Sequence, residues 1–239
     1  MQAAASWLEE HAEDHTGQAA DMNQYWYSAS TITTLVDVVR EHCLQASHAS
    51  VLDCAFVSTP SLFYALDPSE RVRSRVLDYD TTLGTDVVPY DYHKPTVIPA
   101  ELVGAFHCVV IDPPFITADV WRQYIDTARH LLTPSGGLVV LTTVIENAPM
   151  LEEALGARPN TFLPSIPNLP YQYAVFTNFR ATQLDAPNPE VPHDPVAFLA
   201  APRHVVTTPA EAPLRGAGHA YDFEAMLEAE LQRQGAAGV

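Results

Sequence analysis

The segment that most constrains the fold is the apolar run over residues 107–111, which ends directly in Asp112-Pro113-Pro114-Phe115. A near-continuous apolar run is typical of a parallel strand that is buried on both faces. In sheets built from such strands, ligands bind at the carboxyl ends of the strands. The two prolines fix φ and stiffen the loop. The segment therefore predicts a central strand that ends in a rigid, polar loop at a ligand-binding position.

Helical and strand-like patterns alternate on both sides of this run. Helices are predicted over residues 30–44, 118–132 and 147–155, and strands over residues 50–57, 73–77, 87–90, 107–111, 138–142, 161–163 and 172–179. This alternation predicts an α/β fold with a mostly parallel, doubly wound, Rossmann-like sheet.

Composition divides the chain into three parts. Residues 1–22 carry five acidic and no basic residues and predict an N-terminal extension. Residues 23–185 hold the alternating pattern and predict the domain. Residues 186–239 are rich in Pro and Ala, which supply turns and extended segments, so a loosely packed acidic tail is expected. A short amphipathic helix is predicted near its end, over residues 221–234.

The charge narrows the possible partners. With 12 Lys and Arg against 29 Asp and Glu, the formal charge is −17, which disfavours duplex DNA, other nucleic acids and anionic membrane surfaces as partners.

The three cysteines, Cys43, Cys54 and Cys108, are an odd number without CxxC spacing and predict reduced core thiols. Since neither a signal peptide nor a membrane-spanning run is present, we expect a cytoplasmic protein.

The Asp112–Phe115 loop offers groups that suit a substrate amine. The Asp112 carboxylate and the carbonyls of Pro113 and Pro114 accept hydrogen bonds from N–H groups, and the Phe115 ring packs on the attached carbon. The alternative is a rigid turn whose aspartate caps the next helix. Its position after a buried strand favours the catalytic interpretation.

The loop after the first predicted strand contains Ser58, Thr59 and Pro60 where nucleotide-binding proteins have glycines. Neither GxGxxG nor GxxxxGK[ST] is present, so a close approach to a pyrophosphate is not expected. A cofactor without phosphates, such as S-adenosylmethionine, fits better. Asp78 and Asp91 follow the next two strands, where they suit the ribose hydroxyls and the adenine amino group. Either carboxylate alone is more often a solvated loop residue.

Three aromatic residues, Tyr25, Trp26 and Tyr27, precede the first helix and allow two interpretations. They staple the N-terminus of the helix onto the sheet, with Ser28 or Ser30 as N-cap, or they form a lid over the cofactor and the amine. The ten histidines show no zinc-ligand spacing, so no metal is predicted.

Taken together, the motifs resemble one family. QYWYS at 24–28, FVSTPSLF at 56–63, LDYD at 77–80, PYDYHKP at 89–95, VVIDPPF at 109–115 and AVFTNF at 174–179 are similar in order and spacing to the elongation factor 1-alpha lysine methyltransferase family. This family was first labelled a probable N6-adenine methyltransferase group because of its DPP[FY] motif. The resemblance covers residues 23–180 and includes the TPSGG turn at 133–137. Family members often have Tyr where this chain has Phe115, a departure that bears on the substrate.

The resemblance implies a seven-strand class I methyltransferase that binds S-adenosylmethionine and methylates a lysine of the translation factor. In this hypothesis Asp112 orients the amine and borders the cofactor, while Phe115 and the aromatic residues of 25–27 enclose the lysine side chain. Ser58, Thr59, Pro60, Asp78 and Asp91 would bind the cofactor. A basic translation factor suits an acidic enzyme. The alternatives are N6-methylation of adenine in RNA and a non-catalytic scaffold with the same fold.

Overall fold

The computed structural model describes residues 26–47, 51–167, 169, 171–192 and 194–200. Tyr25, the predicted N-terminal extension, the predicted C-terminal helix and most of the predicted tail lie outside the described residues. All described residues belong to one compact unit.

The described helices are α1 (Ala29–Ser47), α2 (Pro60–Ala65), α3 (Ala118–Leu131), α4 (Ala148–Leu155) and α5 (Pro195–Ala200). The strands are β1 (Cys54–Val57), β2 (Arg75–Asp78), β3 (Val87–Pro89), β4 (Cys108–Ile111), β5 (Leu138–Thr143), β6 (Arg158–Pro159) and β7 (Ala174–Thr177). Single 3₁₀ turns occur at Thr81–Leu83, Ala100–Leu102, Ile145–Asn147 and Thr182–Leu184.

The seven strands form one sheet in the order β3-β2-β1-β4-β5-β7-β6. Strands β1 to β5 pair in parallel, whereas β7 runs antiparallel to both β5 and β6. This confirms the mostly parallel, seven-strand Rossmann-like fold expected of a class I methyltransferase. We call the edge at which β1 to β5 end the carboxyl edge, and the edge at which they begin the amino edge.

The strand order reverses direction between β1 and β4, and this switch point locates the expected binding crevice. Both strands are buried along their whole length, and Val57 lies beside Ile111 in register. One face of the sheet packs against residues of α1 and α2, and the other against residues of α3 and α4. Parallel α/β sheets bind ligands at the carboxyl ends of the strands, next to such a reversal.

Three elements differ from the sequence-based expectation. Helices α2 and α5 were not predicted, because each is only six residues long, although Pro60 at the start of α2 is typical of a first helical turn. Strand β6 lies at Arg158–Pro159, before the predicted 161–163. Phe162 and Leu163 are buried in the core without joining the strand ladder, so the apolar pair indicated burial and not strand pairing.

Residues after β7 pack more closely than their composition indicates. Asn188 is buried, and its amide donates to the Leu163 carbonyl at 2.9 Å. Pro195 is also buried, at the start of α5. Polar side-chain bonds thus hold a Pro-rich segment that has no periodic apolar face.

The prediction of reduced core thiols is confirmed, because Cys43, Cys54 and Cys108 are buried and form no disulfide within the described residues. None of the helices within the described ranges combines the length and the apolarity that crossing a bilayer requires.

Candidate active site

The Asp112–Phe115 loop leaves the sheet at the switch point. The Asp112 backbone N–H donates to the Val57 carbonyl at 3.3 Å, which continues the pairing of β1 with β4 by one residue. Pro113 is buried, whereas Asp112, Pro114 and Phe115 are half-buried. The strand pairing and the two prolines therefore set the direction in which the carboxylate leaves the sheet.

The Asp112 carboxylate is held by neutral hydroxyl groups. The Tyr27 hydroxyl donates to Asp112 Oδ2 at 2.5 Å and also lies 2.5 Å from Thr142 Oγ1, at the end of β5. The other oxygen, Oδ1, is buried and has no hydrogen-bond partner within the described part of the chain. Burial raises the pKa of Asp112 to about 7, although the hydrogen bond from Tyr27 acts in the opposite direction. A buried acceptor without a partner is a natural position for a substrate N–H.

A second set of hydrogen bonds braces the loop after Phe115. The Asn147 amide donates to the Ile116 carbonyl at 2.9 Å and to Thr143 Oγ1 at 3.0 Å. Trp121 Nε1 donates to the same Thr143 hydroxyl at 2.8 Å. The exit loop is thus tied to the end of β5 and to α3.

The loop after β1 is also at this edge, and its backbone is unusual. Ser58 has a φ of 55°, in the left-handed region that non-glycine residues seldom adopt. Its N–H donates to the Leu77 carbonyl at 2.8 Å, and its hydroxyl lies 2.8 Å from the Tyr124 hydroxyl. Thr59 is buried, and its Oγ1 has no partner among the described residues. Strained residues and unpaired buried hydroxyls are common at ligand sites.

Asp78 and Asp91 lie in contrasting surroundings. Asp78 ends β2, is buried and accepts a hydrogen bond from the Asp80 N–H at 3.0 Å; burial raises its pKa to about 6. Asp91 follows β3 and lies 3.2 Å from Lys94 Nζ and 3.0 Å from His93 Nδ1. Burial acts to raise the pKa of Asp91, but the hydrogen bonds from His93 and Lys94 outweigh it and lower the pKa.

Aromatic rings line the space between β3 and the Asp112 loop. Tyr92 stacks on Tyr124 with ring centroids 5.9 Å apart, and it meets Phe115 edge-on at 6.2 Å. Tyr90 packs edge-on against Tyr124 at 5.7 Å. These rings give the carboxyl edge an apolar wall beside its carboxylates, an arrangement that suits a purine ring or an alkyl chain.

The aromatic residues before α1 divide into different roles. Tyr27 is 3% exposed, and its hydroxyl contacts Asp112, so it belongs to the interior and not to an exposed lid. Ser28 is the predicted N-cap, and its Oγ accepts from the Thr31 N–H at 3.1 Å. Trp26 is half-buried. The structure thus favours the staple for Tyr27, whereas Tyr25 lies outside the described residues.

Sequence reasoning missed Thr142, Asn147, Tyr92 and Tyr124. Thr142 and Thr143 end the apolar run of β5 with two hydroxyl groups, and a hydroxyl at the carboxyl end of a buried strand was the available indication. Asn147 carried no comparable indication, because its role depends on a contact with residue 116.

The residues at this edge fit a phosphate-free nucleoside cofactor. Asp78 offers a buried carboxylate, Thr59 a buried hydroxyl without a partner and Tyr92 a stacked ring. Within the described ranges, no group of three His, Cys, Asp or Glu side chains is placed to hold a metal ion.

Comparisons with known proteins agree with this geometry. A family model described as probable N6-adenine methyltransferase matches residues 18–181. The Caenorhabditis elegans protein-lysine N-methyltransferase M142.8 is 27% identical over 169 residues, which cover 66% of this chain and 77% of that protein. The Danio rerio EEF1A lysine methyltransferase 1 is 29% identical over 176 residues, covering 68% and 99%.

Among solved structures, a protein from Corynebacterium glutamicum matches with a TM-score of 0.44 at 10% identity, covering 76% of this chain and 91% of that one. The family match confirms the resemblance that the motifs from QYWYS to AVFTNF indicated.

Proposed function

The chain belongs to the probable N6-adenine methyltransferase family, and we propose that it methylates the ε-amino group of a protein lysine with S-adenosylmethionine as donor. The observation that carries this proposal is the Asp112 carboxylate at the switch point. One of its oxygens is satisfied by Tyr27, and the other is buried and unpaired among the described residues. Two relatives whose names state protein-lysine methylation support the choice of substrate class.

S-adenosylmethionine supplies an electrophilic methyl group on a sulfonium. In the proposed complex Asp78 accepts from the ribose hydroxyls, while the loop of Ser58, Thr59 and Pro60 contacts the remaining polar groups. Tyr92 and Phe115 provide apolar surface beside them. The family and the fold support use of this cofactor. The Asp91 carboxylate is already paired with Lys94. In the proposed complex the adenine amino group therefore shares this carboxylate with Lys94.

The reaction requires a lysine nitrogen with a free lone pair. Lysine has a pKa near 10.4 in water, so the site must favour loss of one proton and then aim the nitrogen at the methyl group. The half-buried Phe115 ring and the surrounding apolar wall desolvate the ammonium, which lowers its pKa. Asp112 Oδ1 and the carbonyls of Pro113 and Pro114 accept N–H hydrogen bonds. Asp112 therefore acts as an orienting group, and the departing proton is released to water.

The proposed substrate is translation elongation factor 1-alpha, and the proposed place of action is the cytoplasm. A relative is named for methylation of this factor. The formal charge of −17 favours association with a basic protein and disfavours RNA.

A methyl-transfer assay tests the proposal. Purified elongation factor 1-alpha and total RNA are each offered with radiolabelled S-adenosylmethionine, and labelled peptides are mapped. We expect a labelled lysine in the protein. Asp112→Asn should reduce turnover at least ~100-fold, because it removes a charged acceptor from a site built around it.

Asp119→Asn is the matched control, since Asp119 lies at the start of α3 and is exposed. It should transfer methyl groups at the normal rate. Label in RNA alone would select the adenine alternative, and the absence of any heat of cofactor binding in calorimetry would select the scaffold. Normal turnover by Asp112→Asn would refute the assignment of Asp112.

A further inference from the structure

Tyr27 connects three separate parts of the chain at the candidate active site. It lies just before α1, and its hydroxyl reaches both Asp112 after β4 and Thr142 at the end of β5. We infer that Tyr27 is a positioning residue that fixes the Asp112 carboxylate and directs its unpaired oxygen, Oδ1, to the substrate amine. This inference rests on the proposed function and deepens it.

The direction of the hydrogen bonds follows from counting protons. A tyrosine hydroxyl has one proton, and Tyr27 donates it to Asp112 Oδ2. The contact of 2.5 Å between Tyr27 and Thr142 then requires the Thr142 hydroxyl to donate to the Tyr27 oxygen. The result is a series of hydrogen bonds in which Thr142 donates to Tyr27 and Tyr27 donates to Asp112. Oδ2 already accepts from Tyr27, whereas Oδ1 has no partner within the described residues, so Oδ1 is the acceptor that gains most from an incoming N–H.

The electrostatics of the three groups agree with this role. The pKa of Tyr27 lies well above its usual value, because burial and the charge of Asp112 both disfavour the phenolate. Tyr27 therefore keeps its proton and donates it to Asp112 when that carboxylate is ionised. It stabilises the Asp112 anion without neutralising it, so the negative charge remains available to a lysine ammonium. A cation in the same place would cancel that charge.

The backbone around Tyr27 is anchored, which separates a positioning role from a lid. The Ser28 N–H donates to the Ser165 carbonyl at 2.9 Å, and the Ser28 hydroxyl donates to the Glu190 carboxylate. Asn188 binds the neighbouring Leu163 carbonyl at 2.9 Å. Two segments from the C-terminal part of the domain therefore hold the residue next to Tyr27, and opening a lid here would break these bonds.

The variant Tyr27→Phe tests the inference, since it removes the hydroxyl and keeps the ring. We expect kcat to fall about 10- to 100-fold, with the KM for S-adenosylmethionine within twofold of wild type. Losing a donor to the ionised form also raises the pKa of Asp112, so the acid limb of the kcat/KM profile should move up by roughly one pH unit. Thr142→Val should produce a smaller shift in the same direction.

Thr177→Val is the matched control. Thr177 in β7 is also 3% exposed, and its hydroxyl donates to the Phe179 carbonyl at 2.7 Å, so the variant loses a comparable buried bond. It should lower stability to a similar degree without moving the acid limb. An unchanged kcat and acid limb in Tyr27→Phe, or a rise in lysine-substrate KM alone, would overturn the inference.

A second readout does not depend on turnover. The pKa of Asp112 is measured by NMR titration of protein labelled with ¹³C in its aspartate carboxyls, with Asp112→Asn used to assign the resonance. Tyr27→Phe should raise this pKa, and an unaltered value overturns the inference. Absence of methyl transfer by the wild type would instead count against the proposed function.

Discussion

Asp53 and Asp112 are aspartates placed at opposite edges of the same two central strands. Asp53 precedes β1 at the amino edge, is 3% exposed, and lies 3.0 Å from Arg73 and 3.2 Å from His107. Asp112 follows β4 at the carboxyl edge and is held by the hydroxyl of Tyr27. The two aspartates differ in the charge of their partners, which distinguishes a structural carboxylate from the one proposed to bind the amine. A cation compensates the burial of Asp53, whereas neutral donors leave Asp112 with a raised pKa.

The carboxylates of the carboxyl edge follow the same rule among themselves. Asp78 has a backbone N–H as its partner, and burial raises its pKa to about 6. Asp91 has Lys94 beside it, and its pKa is lowered. Asp78 and Asp112, which have no cation partner among the described residues, are proposed to bind the cofactor and the amine. Uncompensated burial is typical of groups that await a ligand.

The largest expected effect is the contribution of Asp112 to the pH dependence of the free energy of unfolding. Asp112 has a pKa of about 7 in the folded protein and ~3.9 when unfolded, so the folded state binds its proton more tightly. The stabilisation from that proton is complete below pH ~4 and is lost as the pH rises through 7. Between pH 5 and 8 the loss of this stabilisation should lower the free energy of unfolding by roughly 2–3 kcal/mol.

Asp112→Asn should remove this part of the pH dependence and leave the part due to Asp78. Denaturant unfolding of wild type and variant at both pH values measures the difference. Equal slopes in the two proteins would show that Asp112 is not the buried, uncompensated group described above.

A smaller effect is expected from Asp53→Asn, which should destabilise the folded protein. This variant loses two charge-assisted contacts but leaves Arg73 in solvent, so the free energy of unfolding should fall by about 1–2 kcal/mol. Because Asp53 lies at the amino edge, methyl transfer per folded molecule should not change. Urea unfolding and the assay on folded protein measure both quantities. A loss of activity larger than the loss of folded protein would contradict the separation of the two edges.

The smallest expected effect comes from the loop brace. Asn147→Ala removes the bonds to Ile116 and Thr143, at a cost of about 1 kcal/mol, and should lower kcat by roughly tenfold as the Asp112–Phe115 loop loses its support.

Asn178→Ala is the amino-edge counterpart, since Asn178 makes bonds of 2.9 Å to Val139 and 2.8 Å to Gly137. It should change stability alone. Thermal unfolding measures the stability of both variants, and kcat measures their activity. Equal losses of activity in Asn147→Ala and Asn178→Ala would contradict the different roles given to the two edges of the sheet.

The sequence by itself determined the strands, their parallel pairing and the position of Asp112. Buried parallel strands can be recognised from the local sequence. An apolar run such as 108–111 that is followed by a polar loop is compatible with few structures other than a buried strand. The order of such runs then determines the sheet, and the sheet places Asp78, Asp91 and Asp112 at one edge. The DPPF and QYWYS motifs also gave the family, which the family model confirmed.

The partners of these groups were decided only by the tertiary structure. Tyr27 and Thr142 are 115 residues apart, and their contact with Asp112 depends on the packing of α1 against β5 and on the anchoring of the chain beside Glu190. Lys94 differs, because it is only three residues from Asp91 and that pair is local. Burial and partner charge set the pKa of a carboxylate, and for Asp112 both arise from residues distant in the chain, so no local pattern records them.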